Sequence, residues 1–183
     1  MVSCKKNAFT DTKNNVLLTD LNYKVTGDTN YIPHANSNVY TYGNHLSPFV
    51  CTVKNYLKTS SKISFEMEYV TDKKIFAADK YEIDSSGKYQ ALVHTFSNKT
   101  YENLIVIDPK ANNGDTIFND PVKKIFTILI EKNFTLKYND REHPNCYYTK
   151  TSYPDGGNEV CFYKKGVGLL FWGGFALTSN TSE

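Results

Sequence analysis

The stretch FTLKYNDREHPNCYYTKTSYPDGGNEVCFY, Phe134–Tyr163, decides the fold. It contains two β-type runs, Phe134–Tyr138 and Tyr147–Tyr153, and the start of a third, Val160–Tyr163. Aromatic and threonine residues recur through all three, the composition that a pleated, half-buried surface favours. Between the last two runs stands Tyr153-Pro154-Asp155-Gly156-Gly157. Pro154 fixes φ for the second position of a turn, Asp155 tolerates the third, and either glycine supplies φ > 0. The stretch reads as antiparallel hairpin structure, with Cys146 and Cys161 on either side of the turn.

The same grammar extends outward. Lys62–Val70 alternates strictly, with Ile63, Phe65, Met67 and Tyr69 on one side and Ser64, Glu66 and Glu68 on the other. Thr71-Asp72-Lys73-Lys74 turns into Ile75–Ile83, Asp84-Ser85-Ser86-Gly87 into Tyr89–Phe96, and Asn98-Lys99 into Tyr101–Ile107. Earlier strand candidates are Val16–Val25, Val39–Tyr42 and Phe49–Leu57, with Gly27–Asn38 a loop, Gly43–Pro48 a turn and residues 1–15 a polar N-terminal arm. Residues 121–132 admit two readings. Asp120-Pro121-Val122 can cap a short helix, whereas Ile125–Ile130 suits a β-branched strand; the strand is favoured because so short a helix is marginal alone. Val167–Leu177 is an apolar closing strand with a bend at Gly173-Gly174.

Strands recurring about every ten residues make a meander, and a meander hides its edges by closing. The expectation is one all-β domain over residues 1–183, an antiparallel up-and-down barrel of about eight strands with little helix. A two-sheet sandwich is the competitor.

Composition excludes several function classes. Net charge is only +2 with both signs interspersed, so no basic stripe argues for nucleic acid. The longest apolar run, Gly166–Leu177, is interrupted by four glycines, and no stretch is long enough for a membrane span. No secretory apolar region follows Met1, so the chain reads as a mature form with an added start residue. Cys4, Cys51, Cys146 and Cys161 lack the paired spacing of zinc ligands, and no metal or cofactor is expected. An even cysteine count, with sequons at Asn98, Asn133 and Asn180, leans toward a secreted, oxidised, glycosylated protein. His34, His45, His94 and His143 are scattered and read as surface or loop residues. No nucleophile elbow, phosphate loop or pair of acids stands out in the sequence, so catalysis is not expected.

Three segments resemble the salivary lipocalins of ticks: Asn38–Val53 with the first cysteine strand, Phe134-Thr135…Tyr138-Asn139-Asp140…Cys146, and Asp155-Gly156…Asn158-Glu159…Cys161-Phe162-Tyr163. Lys62–Ala91, with Asp72-Lys73-Lys74 and Ser86-Gly87-Lys88-Tyr89, is similar to the middle strands of triatomine salivary lipocalins. The resemblance implies a secreted, monomeric barrel of a blood-feeding arthropod that takes up a small hydrophobic ligand and dampens host defence. It also implies the pairing Cys4–Cys146 and Cys51–Cys161, the order these families show. The hairpin register agrees in setting Cys146 opposite about Tyr163, out of comfortable reach of Cys161.

The lining positions expected for such a cavity are Tyr42, Phe65, Met67, Tyr69, Tyr89, Val93, Tyr147 and Phe162, although the same side chains also serve as plain core. Where amine-binding tick lipocalins carry motif acids, this chain has Tyr147 and Phe162-Tyr163, and the triatomine haem-ligand position falls near Glu68. A fatty acid, eicosanoid or sterol-like ligand is therefore expected over histamine or serotonin, unless Glu68 turns inward. Two alternatives stand beside this reading. One is an immunomodulator that acts on a host protein through its outer surface. In the other, Val2-Ser3-Cys4-Lys5-Lys6 looks like the start of a mature Bacteroides-type lipoprotein, an all-β binding module lipidated at Cys4.

Overall fold

The computed structural model describes residues 38–43, 48–172 and 175–181, together with Leu21, Tyr23, Val25 and residues 30–32. The expected arm at 1–15, Cys4, His34, His45, the tip of the Gly43–Pro48 turn, the Gly173-Gly174 bend and most of the Val16–Val25 strand lie outside the described residues.

Twelve antiparallel strands and no helix make up the described chain. The first six are β1 (Val39–Gly43), β2 (Phe49–Lys58), β3 (Lys62–Thr71), β4 (Lys74–Asp84), β5 (Tyr89–Phe96) and β6 (Lys99–Ile107). The second six are β7 (Thr116–Asp120), β8 (Ile125–Tyr138), β9 (Arg141–Ser152), β10 (Asn158–Lys164), β11 (Gly168–Trp172) and β12 (Phe175–Thr181). Each set is a meander, and β1 pairs with β12 to join them into one sheet ordered β6-β5-β4-β3-β2-β1-β12-β11-β10-β9-β8-β7. β6 packs beside β7 and β8 without a hydrogen-bonded ladder, so the barrel is nearly closed, with a seam there.

The antiparallel barrel agrees with expectation, and the strand number of about eight is corrected to twelve. Arg141–Cys146, which precedes the expected run Tyr147–Tyr153, is the first half of β9. The run read as one closing strand is two, β11 and β12. β7 is an additional short strand, while Ile125–Ile130 and Phe134–Tyr138 merge into β8, which decides the segment for strand from Ile125 onward, after a turn at residues 121–124. Asp120 does cap a turn, accepting bonds from the Val122 and Lys123 amides at 3.1 and 2.9 Å, but the turn does not propagate into a helix.

Two-residue hairpins set the register at three points. Asp72-Lys73, Ser97-Asn98 and Asn139-Asp140 take positive φ at both positions, the geometry whose twist matches the flanking strands. Along β3 the alternation holds: Phe65, Met67 and Tyr69 are buried, while Glu66 and Glu68 face the other way. On that outer face Glu68 pairs with Lys54, Glu66 with Lys80 at 2.8 Å, and Glu82 with Lys62 at 2.6 Å.

Candidate functional site

Three ionisable residues far apart in the sequence meet inside the barrel. β4 buries alternate residues, and its inward stripe is Ala77, Asp79, Tyr81 and Ile83. β5 begins in the same phase, with Tyr89 and Ala91 buried, and then breaks it. Tyr81 faces Ala91 but Lys80 faces Val93, so one extra residue bulges from β5 beside Leu92. The bulge reverses the phase and turns His94 inward, as bulges do when they re-aim a side chain. From the far wall, β10 sends in Glu159 on the stripe it shares with Cys161 and Tyr163.

His94 joins the two acids. Its Nδ1 lies 3.1 Å from Asp79 Oδ2 and its Nε2 lies 3.0 Å from Glu159 Oε2. β5 and β10 have at least four strands between them around the sheet, so this contact spans the interior. The barrel is therefore flattened, and its walls meet. Neutral donors complete the acids. Asp79 accepts from the Tyr69 and Tyr81 hydroxyls, both at 3.2 Å, and from the Thr95 amide at 2.9 Å. Glu159 accepts from the Tyr153 hydroxyl at 2.7 Å and from the Trp172 indole.

Burial alone lowers the pKa of His94, but the charges and hydrogen bonds of Glu159 and Asp79 outweigh it and hold the imidazole well above its ordinary value. Burial likewise raises Glu159, and the His94 charge with three side-chain donors overcomes that, leaving the carboxyl below its ordinary value. An imidazolium between two carboxylates follows, with both ring nitrogens donating. Neither nitrogen remains to take a proton from a third group, so the network holds charge in place and is not arranged as a general base. No cluster that could hold a metal ion occurs among the described residues.

An aromatic layer covers the network toward the end where β1–β2, β3–β4 and β11–β12 turn. Phe49 contacts Tyr42, Tyr69, Phe76, Trp172 and Phe175, with ring centroids 4.9 to 6.0 Å apart. Tyr69 and Trp172 belong to both layers, since each also bonds one of the acids.

The expected lining positions divide. Phe65 stacks on Tyr81 at 5.3 Å, and Met67 is buried beside it on β3. Tyr42 donates to the Leu169 carbonyl at 3.0 Å. At the opposite end, the Tyr89 hydroxyl accepts from the Tyr31 amide at 3.1 Å and Tyr147 bonds the backbone of Asp108 at 2.9 and 3.0 Å. Val93 is only half-buried. Phe162 stands on the face of β10 opposite Glu159 and Cys161, stacked on Tyr148 at 4.5 Å and packed against Phe134 and Phe171. The hydroxyls expected to anchor a ligand are thus engaged by the protein itself.

Several expectations are corrected here. His94 is a buried member of the network, not a surface residue, and Asp79 with Glu159 is the pair of acids that the sequence order conceals. His143 is also buried, its Nδ1 3.0 Å from the Tyr23 hydroxyl. Glu68 stays outside with Lys54 and offers no inward partner for an amine. Cys51, Cys146 and Cys161 are free thiols, which overturns the expected Cys51–Cys161 bond and leaves Cys146 unpaired. Cys51 on β2 and Cys161 on β10 have three strands between them, and Cys146 faces Lys164 while Cys161 faces Thr149. Among the sequons, Asn98 and Asn133 are exposed, but Asn180 is buried on β12 opposite Tyr40, where a glycan has no room.

No family model matches this chain, and no curated protein matches it in sequence. A crystal structure of a protein inferred to be exported, with a YmcC-like fold, from Bacteroides fragilis is similar at a TM-score of 0.51 and 11% identity, covering 84% of this chain and 100% of that one. A crystal structure of an inferred lipoprotein from Parabacteroides distasonis aligns at a TM-score of 0.45 and 14% identity over 85% of this chain and 100% of that one, too slight a likeness to argue from. The resemblance to arthropod salivary lipocalins is overturned: the chain forms a twelve-stranded barrel with walls in contact, and the fold it resembles is the YmcC-like one. The short segments that suggested lipocalins are aromatic- and threonine-rich strands beside turns, a composition that any half-buried antiparallel sheet favours.

Proposed function

We propose that this protein is an exported bacterial envelope module, tethered by acyl chains on Cys4, that binds a partner at its ends or outer surface and is not an enzyme. The observation that carries the reading is the likeness of its barrel to that of the Bacteroides fragilis protein inferred to be exported, along the whole of that chain. Cys4 in Val2-Ser3-Cys4-Lys5-Lys6 supplies the acylation residue. The other three cysteines are buried thiols, so none of them competes with a lipid for Cys4 through a disulfide.

The interior supports binding from outside. Large side chains from opposite walls touch, and His94 has both nitrogens occupied. A fatty acid or sterol held inside the barrel has to displace Phe65, Met67 and Tyr81 from contacts they already make, at several kcal/mol for each large side chain. The role assigned to the buried network is to fix the two walls, so that the outer surfaces are rigid platforms.

Intact-mass analysis of the protein made from its full gene in a Bacteroides host tests the tether. The expected result is a diacylglyceryl-modified Cys4 in the membrane fraction and release to the soluble fraction in Cys4→Ser. An unmodified Cys4 in the wild-type protein would falsify the tether. Solvent extraction of the same sample is expected to yield no stoichiometric interior lipid.

A further inference from the structure

At the barrel end opposite the aromatic layer, the sheet is broken twice in the same place. Glu131 faces Tyr148 and Phe134 faces Cys146, so one extra residue bulges from β8 within Lys132-Asn133. The next pair is Leu136 with His143, which places a second bulge on β9 at Pro144-Asn145, where Asn145 has a φ of 62°. The adjoining β10–β11 turn carries Lys164 and Lys165 into Gly166, whose φ is 70°, and the Gly166 amide is tied to the Asn30 carbonyl at 2.9 Å. These breaks open a groove of about 330 Å³ lined by Tyr31, Lys132, Asn133, Asn145, Lys164 and Lys165.

Three ammonium groups line this groove, and none forms an ion pair with a described residue. Lys164 Nζ donates to the Pro144 carbonyl at 2.5 Å and Lys132 Nζ to the Pro109 carbonyl at 3.0 Å, while Lys165 Nζ lies 5.2 Å from the centre of the Tyr31 ring. Neutral carbonyls fix where Lys132 and Lys164 point, the Tyr31 ring faces Lys165, and no described carboxylate pairs with the charge of any of the three. Buried His143 senses that charge: burial first, then Lys164 and Arg141, lower its pKa. Along β2, β3 and β4 lysines are matched to carboxylates, whereas the lining of this groove contains three lysines and no acid.

The geometry points to a binding site for a phosphate monoester in this groove. A dianionic phosphate in a groove lined by three lysines has most of its charge balanced, whereas a single carboxylate leaves two ammonium groups repelling each other. Phosphate oxygens have enough lone pairs to accept from the lysines and from the side-chain amides of Asn133 and Asn145 together. Bulges gathered at one spot are a common means by which a sheet re-aims side chains at a site. This inference stands on the groove alone and goes beyond the proposed tether.

The test uses the full chain with Cys4→Ser, so that lipid at Cys4 plays no part. Amide chemical shifts are followed as inorganic phosphate or glucose 1-phosphate is added, and co-sedimentation is measured with phosphatidylcholine vesicles containing or lacking phosphatidic acid. Expected are saturable shifts at residues 132–133, 145 and 164–166, weakened at least tenfold in Lys164→Gln/Lys165→Gln and unchanged in Lys54→Gln. Saturation by the soluble phosphates assigns a small-molecule ligand; binding only to phosphatidic acid vesicles assigns a lipid headgroup, and either supports the site. Absence of both, an equal response to chloride at matched ionic strength, or binding retained in the double variant overturns it. Because the substituted lysines lie at the surface, a folded double variant is expected and is checked by its unshifted core resonances.

Discussion

His94 Nε2 lies 3.0 Å from Glu159 Oε2 although at least four strands separate the two residues around the sheet. With Asp79 on the other ring nitrogen, the imidazole links β4, β5 and β10 through one side chain. Removing one member leaves the others buried and charged. His94→Ala therefore strands two carboxylates and is expected to cost about 3–5 kcal/mol, the usual penalty for breaking a buried ion pair from one side. The triple variant Asp79→Asn/His94→Gln/Glu159→Gln removes all three charges together and is expected to recover part of that loss. Urea denaturation of both variants decides; a single variant no less stable than the triple removes the network's coupling.

The pH dependence has a sign that follows from the same contacts. His94 is raised, so its contribution is complete below about 6.5, the unfolded histidine value, and is lost as pH rises from there through the folded pKa. Glu159 is lowered, so its contribution is complete above about 4.3, the unfolded glutamate value, and is lost as pH falls through the folded pKa. His143 opposes His94: it is lowered, so its contribution is complete above about 6.5 and declines as pH falls. Stability in urea should therefore peak on the acid side of neutrality, with a decline above pH about 6.5 that disappears in His94→Gln. A decline of equal size in that variant assigns it to other groups.

Much of this fold was legible in the sequence. The period-two pattern of Ile63–Tyr69, the turns at Asp72-Lys73 and Asn98, and the strand reading of Ile125–Ile130 rest on local chemistry, and local chemistry decided them. The half of the site carried by Asp79 was also within reach, because a charged residue in phase with Ala77, Tyr81 and Ile83 is an anomaly on an apolar stripe. His94 was not. Extending the phase of Tyr89 and Ala91 places it outside, and only the bulge beside Leu92 reverses that. Its union with Glu159 depends on how two meanders fold against each other, which no short pattern records.

The β3 register gives a paired test. Phe65 is buried and stacked on Tyr81, so Phe65→Asp sets an unpartnered charge in the core and is expected to cost several kcal/mol. Its neighbour Glu66 lies on the outer face with Lys80 and Asn55. Exposed pairs are worth about 0–1 kcal/mol, so Glu66→Lys is expected to cost no more than about 1 kcal/mol. Similar losses at both positions overturn the assigned faces.

A hairpin substitution should raise stability. Lys73 sits at a φ of 63° as the second residue of the β3–β4 turn. That conformation strains any residue with a Cβ and favours glycine. Lys73→Gly is expected to gain up to about 1 kcal/mol, less the entropy of a freer unfolded chain. Thermal unfolding at fixed pH measures it; a lower midpoint shows that the lysine side chain contributes more than its backbone costs.

The thiols provide the last test, because they separate a reduced barrel from a disulfide-braced one. Cys51, Cys146 and Cys161 are all buried, and burial raises the pKa of each, so both access and thiolate content oppose reaction. Cys146 is the mildest case, since the Lys164 charge pulls against burial and its Sγ donates to the His143 carbonyl at 3.2 Å. In the Cys4→Ser protein, a thiol reagent such as dithionitrobenzoate is therefore expected to react slowly while the chain is folded, at a rate set by opening of the barrel. In denaturant the same protein should release the colour of three thiols at once, without prior reduction. Fewer than three, with the remainder appearing only after a reductant, would mean that the oxidised protein holds a disulfide between these strands. Rapid reaction of all three in the native state would mean that the barrel opens far more readily than its buried ion network allows.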